Sequence, residues 1–159
     1  MNLADWIQTI GIFIAFIGII VAIYFSRKQM KELNKHLKLH FFSEYTKRFQ
    51  EIMLNLPENI MHDDFEIEKL SRGEYSKTMR YLRSYFDLCS EEFDLWMTGN
   101  IEERIWKNWE EGIKSKMSNK TFIMAWKKSN YDSYYYPKFS KWMKKVISKN
   151  QKDHEDDLD

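Results

Sequence analysis

A continuous apolar segment without a charged side chain occupies residues 6–25. A helix rises about 1.5 Å per residue, so this segment would extend about 30 Å, the thickness of a bilayer's hydrocarbon core. Twelve of its residues are Ile, Val or Phe, and Trp6 and Tyr24 stand near its ends, where aromatic rings favour the membrane interfaces. The segment predicts a transmembrane helix, with residues 1–26 as an N-terminal anchor.

Two alternative interpretations of this segment agree less well with the sequence. A core helix in a protein of this size is usually apolar on one face, whereas residues 6–25 are apolar on every face. A cleaved signal peptide has basic residues before its apolar stretch and a small-x-small cleavage site after it. No Lys or Arg precedes Trp6, and the segment ends in Tyr24-Phe-Ser-Arg-Lys28. We therefore expect an uncleaved anchor.

The charges beside the segment predict its direction in the membrane. Asp5 precedes it, and five basic residues follow it: Arg27, Lys28, Lys31, Lys35 and Lys38. The positive-inside rule then places residue 26 onward in the cytoplasm and the N-terminus outside the plasma membrane. The single Cys89 agrees with a reducing compartment. The basic residues either contact anionic lipid headgroups or set topology alone, and the two interpretations are compatible.

Small residues recur along one side of the predicted transmembrane helix. At roughly 100° per residue, they fall in one narrow stripe. Its members are Gly11, Ala15, Gly18, Ala22 and Ser26. Small side chains let helix backbones approach closely in lipid, so the stripe predicts self-association into a homo-oligomer. The alternative is that Gly and Ala are simply frequent in membrane helices.

Beyond the anchor, apolar residues recur every three or four positions, which predicts an all-α protein. We expect the transmembrane helix to continue into a juxtamembrane helix at residues 27–56, which Pro57 ends or kinks. A cytoplasmic helical domain then occupies residues 57–149, giving a bundle of about five helices. The acidic tail at residues 150–159 is expected to be disordered.

Local signals mark the ends of the domain helices. The pattern Ser71-Arg-Gly-Glu74 predicts a capping box at the start of one helix, which Gly99 ends. Asn100 is expected to cap the next helix. Two further helices are expected to begin near Asn119 and at Pro137. The core is expected to include five tryptophans: Trp96, Trp106, Trp109, Trp126 and Trp142.

Four short segments of the domain form a pattern of core and turn residues. They are Leu82-Arg-Ser-Tyr-Phe-Asp-Leu-Cys-Ser-Glu-Glu-Phe93, Gly99-Asn-Ile101, Trp106-Lys-Asn-Trp109 and Gly112-Ile113. Together with the anchor, this pattern resembles an uncharacterised group of small bacterial inner-membrane proteins with one N-terminal span and a cytoplasmic helical domain. The resemblance implies topology and fold, and it carries over no catalytic residue.

Two groups of polar residues are candidate ligand sites. His36, His40 and Glu44 recur at every fourth position, and two histidines on one helical face can bind a transition metal or sense pH. A solvated helix face is the more ordinary interpretation. A tyrosine-rich segment can stack on a base or nucleotide, although such loops more often pack over a helical core. Its tyrosines are Tyr131, Tyr134, Tyr135 and Tyr136.

Paired carboxylates at Glu91-Glu92 and Glu110-Glu111 do not predict a shared site, because adjacent helix positions lie about 100° apart. Carboxylates on different helices could still cooperate in one site.

Cys89 falls on the apolar face of its helix, which is typical of a packed thiol rather than a nucleophile. The sequence contains no phosphate-binding Gly-rich loop, no Gly-x-Ser-x-Gly and no His-Glu-x-x-His. We therefore expect a non-enzymatic protein with no catalytic residue, metal or cofactor.

The formal net charge is +1, so no overall basic character points to nucleic acid as a partner. We expect a single-pass, self-associating membrane protein whose cytoplasmic domain binds a partner protein or a small-molecule signal. The alternative is a membrane-perturbing effector of a defence or toxin-like kind, whose span rearranges when the domain binds a ligand.

Overall fold

The computed structural model describes residues 2–129 and 137–156, and every regular element within them is helical. The α-helices are α1 (Leu3–Leu54), α2 (Arg72–Met97), α3 (Glu103–Lys116), α4 (Lys120–Lys128) and α5 (Pro137–Asp156). A short 3-10 helix, Ile67–Lys69, precedes α2. The all-α prediction is thus confirmed for the described residues. The chain divides into two compact units, Met1–Phe42 and Ser43–Asp159.

The first unit is the N-terminal part of α1. The helix passes through the apolar segment and the basic residues after it without a break, as predicted, and ends at Leu54. The large apolar side chains described in residues 6–25 are exposed. By length and composition, α1 contains a segment that is able to cross a membrane.

Helix α2 supplies the centre of the core of the second unit. Its apolar residues recur at steps of three and four, so they share one face, and α3, α4 and α5 all pack against this helix. The buried apolar residues of α2 are Met79, Leu82, Tyr85, Phe86, Leu88, Cys89 and Phe93. Burying side chains of this size stabilises the fold by about 1.5–3 kcal/mol each.

An aromatic cluster joins the end of α2 to α3 and α5. The rings of Trp96 and Trp106 stack with centroids 4.9 Å apart, and Phe93 lies 5.8 Å from Trp106. Phe139 and Trp142 of α5 each lie 5.6 Å from Phe93. The prediction that the five tryptophans belong to the core is confirmed: two are buried, and the other three are half-buried against it.

The apolar stripe that follows the predicted span is buried only in its last part. Tyr45 and Phe49 are half-buried against the core of the second unit, and Ile52 is buried. Met30 and Phe41, on the same helical face, remain exposed. The period of a stripe therefore identifies a helix, but it does not determine how much of the stripe is covered.

The capping box at the start of α2 is confirmed. Ser71 Oγ accepts a hydrogen bond from the backbone N–H of Glu74, and the Glu74 carboxylate accepts one from the backbone N–H of Ser71. This reciprocal pair satisfies two donors that the first turn of a helix leaves free. The hydrogen bonds also lower the pKa of Glu74.

The turn after α2 confirms one prediction and corrects another. Gly99 adopts a φ of 72°, and its N–H bonds to the carbonyl of Trp96. The Asn100 N–H bonds to the carbonyl of Leu95, which completes a Schellman motif. Asn100 therefore belongs to the end of α2, and the prediction that it caps α3 is wrong. The N-cap of α3 is Glu102, whose side chain makes no capping hydrogen bond.

Asn119 caps α4 as the sequence indicated. Its Oδ1 accepts hydrogen bonds from the N–H groups of Thr121 and Phe122, and its Nδ2 donates to the carbonyl of Met61 at 3.3 Å. One buried side chain thus terminates the helix and also holds the segment that follows α1.

The last helix begins at Pro137, as predicted, and continues to Asp156. Residues 150–156 are therefore helical, which differs from the prediction of a disordered tail; residues 157–159 lie outside the described part. The prediction rested on the loss of apolar residues after Ile147. The backbone hydrogen bonds of a helix do not require apolar side chains, so the loss of apolar residues does not by itself end α5.

Replacing Gly99 by Ala is expected to destabilise the second unit by about 1–2 kcal/mol, because an L side chain is strained at this positive φ. The matched control is Gly112→Ala in α3, where an added Cβ meets nothing within 4 Å. That control should be neutral or stabilising by up to about 1 kcal/mol, since Ala is the better helix former. Urea unfolding of the detergent-solubilised chain measures the free energy of unfolding of both variants. Equal effects would contradict the proposed strain at Gly99.

Candidate functional site

A polar cluster lies where the last turns of α1 meet α2, entirely within the second unit. The guanidinium of Arg48 donates two hydrogen bonds to the Glu91 carboxylate, from Nη1 at 2.6 Å and from Nη2 at 3.1 Å. The Tyr45 hydroxyl donates to the same carboxylate at 3.2 Å. Bidentate pairing fixes the direction of both side chains and is the strongest form of an Arg–carboxylate contact.

Helical spacing brings these groups together. Tyr45 and Arg48 are three residues apart on α1, so they share a face, and the guanidinium carbon lies 5.3 Å from the centre of the Tyr45 ring. The same ring stacks on Trp109 of α3 at 5.7 Å. The cluster therefore joins three helices through Tyr45, and it fixes the end of α1 on the domain.

The charges of the cluster follow from its contacts. The hydrogen bonds from Arg48 lower the pKa of Glu91, which is a carboxylate at neutral pH. Burial and the negative charge of Glu91 raise the pKa of Tyr45, so this phenol stays protonated as a donor. The hydrogen bond to Glu91 raises the pKa of Arg48. All three groups thus hold the protonation states that their hydrogen bonds require.

Glu92, the next residue along α2, lies in a different environment. It is only 6% exposed, because one step along the helix turns its side chain towards the core. Burial raises the pKa of Glu92 to about 8; the negative charge of Glu91 adds to the rise, and Arg48 opposes it. The carboxyl is therefore mainly protonated at pH 7. Adjacent glutamates consequently carry different charges, one paired at the surface and the other neutral in the core.

An open cleft of about 360 Å³ lies beside the ion pair. Three carboxylates and one guanidinium give its lining a polar character, and Tyr81 and Ile52 add apolar surface. The lining residues are Arg48, Glu51, Ile52, Tyr81, Ser84, Asp87 and Glu91. Because acidic groups outnumber Arg48, this Arg48 cleft suits a small polar or cationic group rather than an anion.

The structure places the histidine candidates on the surface of α1. His36, His40 and Glu44 are exposed. Among the described residues, no group of three or more His, Cys, Asp or Glu side chains comes together in a way that would hold a metal ion. The tyrosine candidates Tyr131, Tyr134, Tyr135 and Tyr136 lie outside the described residues.

The predicted lipid-contact residues Arg27, Lys28, Lys31, Lys35 and Lys38 are exposed on α1. The predicted packing stripe Gly11, Ala15, Gly18 and Ala22 is exposed as well, and a Cβ added at Gly11 or Gly18 meets nothing within 4 Å. Both surfaces are therefore exposed in the single chain.

The other carboxylate pair and the cysteine have ordinary roles. Glu110 forms an ion pair with Lys114 along α3 at 2.7 Å, and Glu111 is exposed. Cys89 is buried, which is the position predicted for a packed thiol. Burial, and then the neighbouring Glu92, raise the pKa of Cys89 well above its usual value, so its reactive thiolate form is suppressed.

Comparison with known proteins finds no match: no model of a known family matches the sequence, and no curated protein or solved structure matches the chain. The resemblance to small bacterial inner-membrane proteins stays a prediction.

Sequence reasoning missed the link between Glu91 and Arg48. Its only signal is that Arg48 flanks the apolar stripe of α1, to which Tyr45 belongs, while Glu91 flanks the apolar face of α2. Two helices that bury these stripes against one another bring such flanking charges together. Choosing the partner requires the register of the two helices, which the sequence does not contain.

Replacing Glu92 by Gln is expected to stabilise the protein only at high pH. The folded pKa is raised from 4.5 to about 8, so wild-type stability is complete below about pH 4.5 and declines as the pH rises towards 8. Gln cannot ionise, so the variant should be about 2–5 kcal/mol more stable than wild type at pH 9 and similar to it at pH 5.

Urea unfolding at a series of pH values measures this difference. Glu91→Gln is the matched control on the adjacent residue. The lowered pKa of Glu91 has the opposite sign, so this variant should lose stability at pH 7 by up to about 1 kcal/mol, a small effect because the ion pair is partly exposed. Parallel pH profiles for wild type and Glu92→Gln would show that Glu92 is not protonated in the folded state.

Proposed function

We propose that this chain is a single-pass membrane-anchored protein that self-associates through α1, and that its cytoplasmic helical domain binds a partner or a small-molecule signal. The proposed function is non-enzymatic. The observation that supports it most is the apolar surface of α1 at residues 6–25, whose described side chains are exposed.

An uncovered apolar helix of this length is costly in water. Its twelve Ile, Val and Phe residues favour insertion into a bilayer by about 4–7 kcal/mol on a biological insertion scale. A bilayer is the solvent that covers all sides of such a helix at once. The proposal therefore assigns lipid, rather than another part of the chain, as the environment of residues 6–25.

Charge supports one orientation in the bilayer. Arg27, Lys28, Lys31, Lys35 and Lys38 are all exposed after the apolar segment, and the proposal places them in contact with anionic headgroups of the cytoplasmic leaflet. The span then lies in the plasma (inner) membrane of a bacterium, and the domain that contains the Arg48 cleft is cytoplasmic.

Self-association is proposed through the stripe of small residues on α1. A second helix backbone can approach Gly11 and Gly18 closely, because no other part of the chain covers them within 4 Å of a Cβ built there. A partner helix from a second copy is parallel to the first, since both copies share one orientation in the membrane.

The Arg48 cleft is the proposed site for the signal. It is lined in part by α1, the same helix that carries the apolar segment. A ligand that competes for Glu91 or Arg48 would alter the contact that fixes the end of α1. This shared helix favours a second candidate function, the membrane-perturbing effector, in which ligand binding rearranges the span.

Charges placed inside the proposed span are expected to release the protein from membranes. Ile14→Arg/Ile17→Arg costs about 5–7 kcal/mol on the insertion scale, which offsets the gain from the apolar residues. The matched control, Leu33→Arg/Leu37→Arg, adds the same charges beyond the span and should leave the protein membrane-bound. Alkaline extraction of membranes measures the distribution, and a C-terminal tag digested only in inverted vesicles checks the orientation. Extraction of the wild-type chain would refute the anchor.

Filling the small-residue stripe is expected to weaken self-association. Gly11→Leu/Gly18→Leu should reduce dimer formation in detergent or bilayers roughly tenfold, because the side chains keep the backbones apart. Ile17→Leu/Ile20→Leu on the opposite side is the control and should have no effect. Energy transfer between labelled copies measures the change.

Overexpression separates the two candidate functions. Growth arrest that only Gly11→Leu/Gly18→Leu relieves would favour the membrane-perturbing effector. A chain that does not arrest growth and captures one specific ligand would favour the binding protein.

A further inference from the structure

The solvent face of α4 combines lysines with apolar residues and contains no acid. Five residues at helical spacing line a shallow depression of about 520 Å³: Lys120, Ile123, Met124, Lys127 and Lys128. The opposite side of the helix is buried and contains Thr121, Phe122, Ala125 and Trp126. The α4 surface, meaning the five lining residues, is therefore the side of the helix that the fold covers only in part.

The sequence of α4 and of the helix that follows it is strongly basic. Residues 119–129 and 137–150 together contain eight lysines and no Asp, Glu or Arg. Residues 43–118 of the same unit carry 16 acidic against 11 basic residues, a net charge of −5. Positive charge is thus concentrated at the α4 and α5 end of the sequence, so it is not spread evenly for solubility.

Helix stability explains only part of this arrangement. Lys127 and Lys128 stand in the last turn, where the helix dipole favours cations, and Lys128 also bonds to Glu68 at 3.2 Å. Lys120 is the first residue of α4, where the same dipole disfavours a positive charge. Ile123 and Met124 lie half-exposed between the lysines. Ile123 and Met124 also pack in part against the core, so Lys120 is the residue whose charge the helix does not explain.

We propose that the α4 surface docks on an anionic lipid surface. Lysine ammonium groups reach headgroup phosphates while their stems and the side chains of Ile123 and Met124 enter the headgroup boundary. The choice of lipid rests on the proposed membrane anchor, which keeps the domain close to a bilayer. The use of Lys without Arg agrees with it, because nucleic-acid recognition favours the planar guanidinium. The cytoplasmic domain thus has its own contact with the membrane.

Lysine acetylation of the full-length wild-type chain in nanodiscs tests the proposal. A water-soluble reagent is applied in discs of zwitterionic lipid and in discs with about one third anionic lipid, and mass spectrometry measures the rate at each lysine. Lys120 and Lys127 should react severalfold more slowly in the anionic discs. Lys141 and Lys145, exposed lysines of α5, are the internal controls and should change little. Equal protection of all four lysines would mean general attraction and would overturn the assignment to α4.

A charge variant gives a second, independent measurement. A polarity-sensitive dye on Met124→Cys reports docking, since Cys89 is 1% exposed and resists labelling. Lys120→Gln/Lys127→Gln should reduce the docked-to-free ratio about 30-fold in anionic discs, because each lysine near such a surface contributes roughly fivefold. Lys141→Gln/Lys145→Gln, with the same change in charge, should reduce it much less. An unchanged ratio in the first variant overturns the proposal.

Two further outcomes separate this inference from the proposed function. A chain that fails to enter nanodiscs refutes the anchor alone, and the dye response to anionic vesicles added afterwards still decides whether the α4 surface binds lipid. Protection of Lys120 and Lys127 by added double-stranded nucleic acid, without protection by anionic lipid, would overturn the lipid assignment and identify a nucleic-acid surface instead.

Discussion

The apolar face of α2 is the surface on which the rest of the second unit is assembled. Helices α3, α4 and α5 pack against α2. Tyr45 and Phe49, near the end of α1, pack against the same core. A central helix that is covered on several sides must be apolar over a wide face, and α2 is. A polar group buried on that face must be neutral or hydrogen-bonded, and a charge at its edge is stabilised by a partner.

Glu91 and Glu92 show both solutions on neighbouring residues. Glu91 stands at the edge of the face, stays ionised and pairs with Arg48. Glu92 is inside and keeps its proton at neutral pH. The two adjacent glutamates therefore contribute one negative charge, rather than two, next to the junction of α1 and α2. A ligand that removed Arg48 from this junction would increase the cost of ionising Glu92 further, since Arg48 is the charge that favours the ionised form.

The sequence predicts the elements of this fold better than their contacts. The capping box at Ser71 and the cap at Asn119 were predictable because each depends on a few adjacent residues. The Asn100 error has a local cause as well: a cap residue and the residue that closes a Schellman turn are both polar and both stand between helices. The Arg48–Glu91 pair depends on the register between two helices, and the exposure of Met30 to Phe41 depends on what is present around the chain. The spacing of apolar residues along the sequence contains neither the register of the two helices nor the surroundings of the chain.

Asn119 makes the segment after α1 and the start of α4 into one cooperative element. Its carbonyl oxygen holds the first turn of α4, and its amide nitrogen holds Met61, so neither contact can open alone without leaving a buried amide group unsatisfied. The backbone amides of the segment around residues 60–65 and of the first turn of α4 should therefore exchange with solvent through the same local unfolding event. The segment around Met61 looks like a surface loop in the sequence. Its stability nevertheless depends on the first turn of α4, more than fifty residues away along the chain.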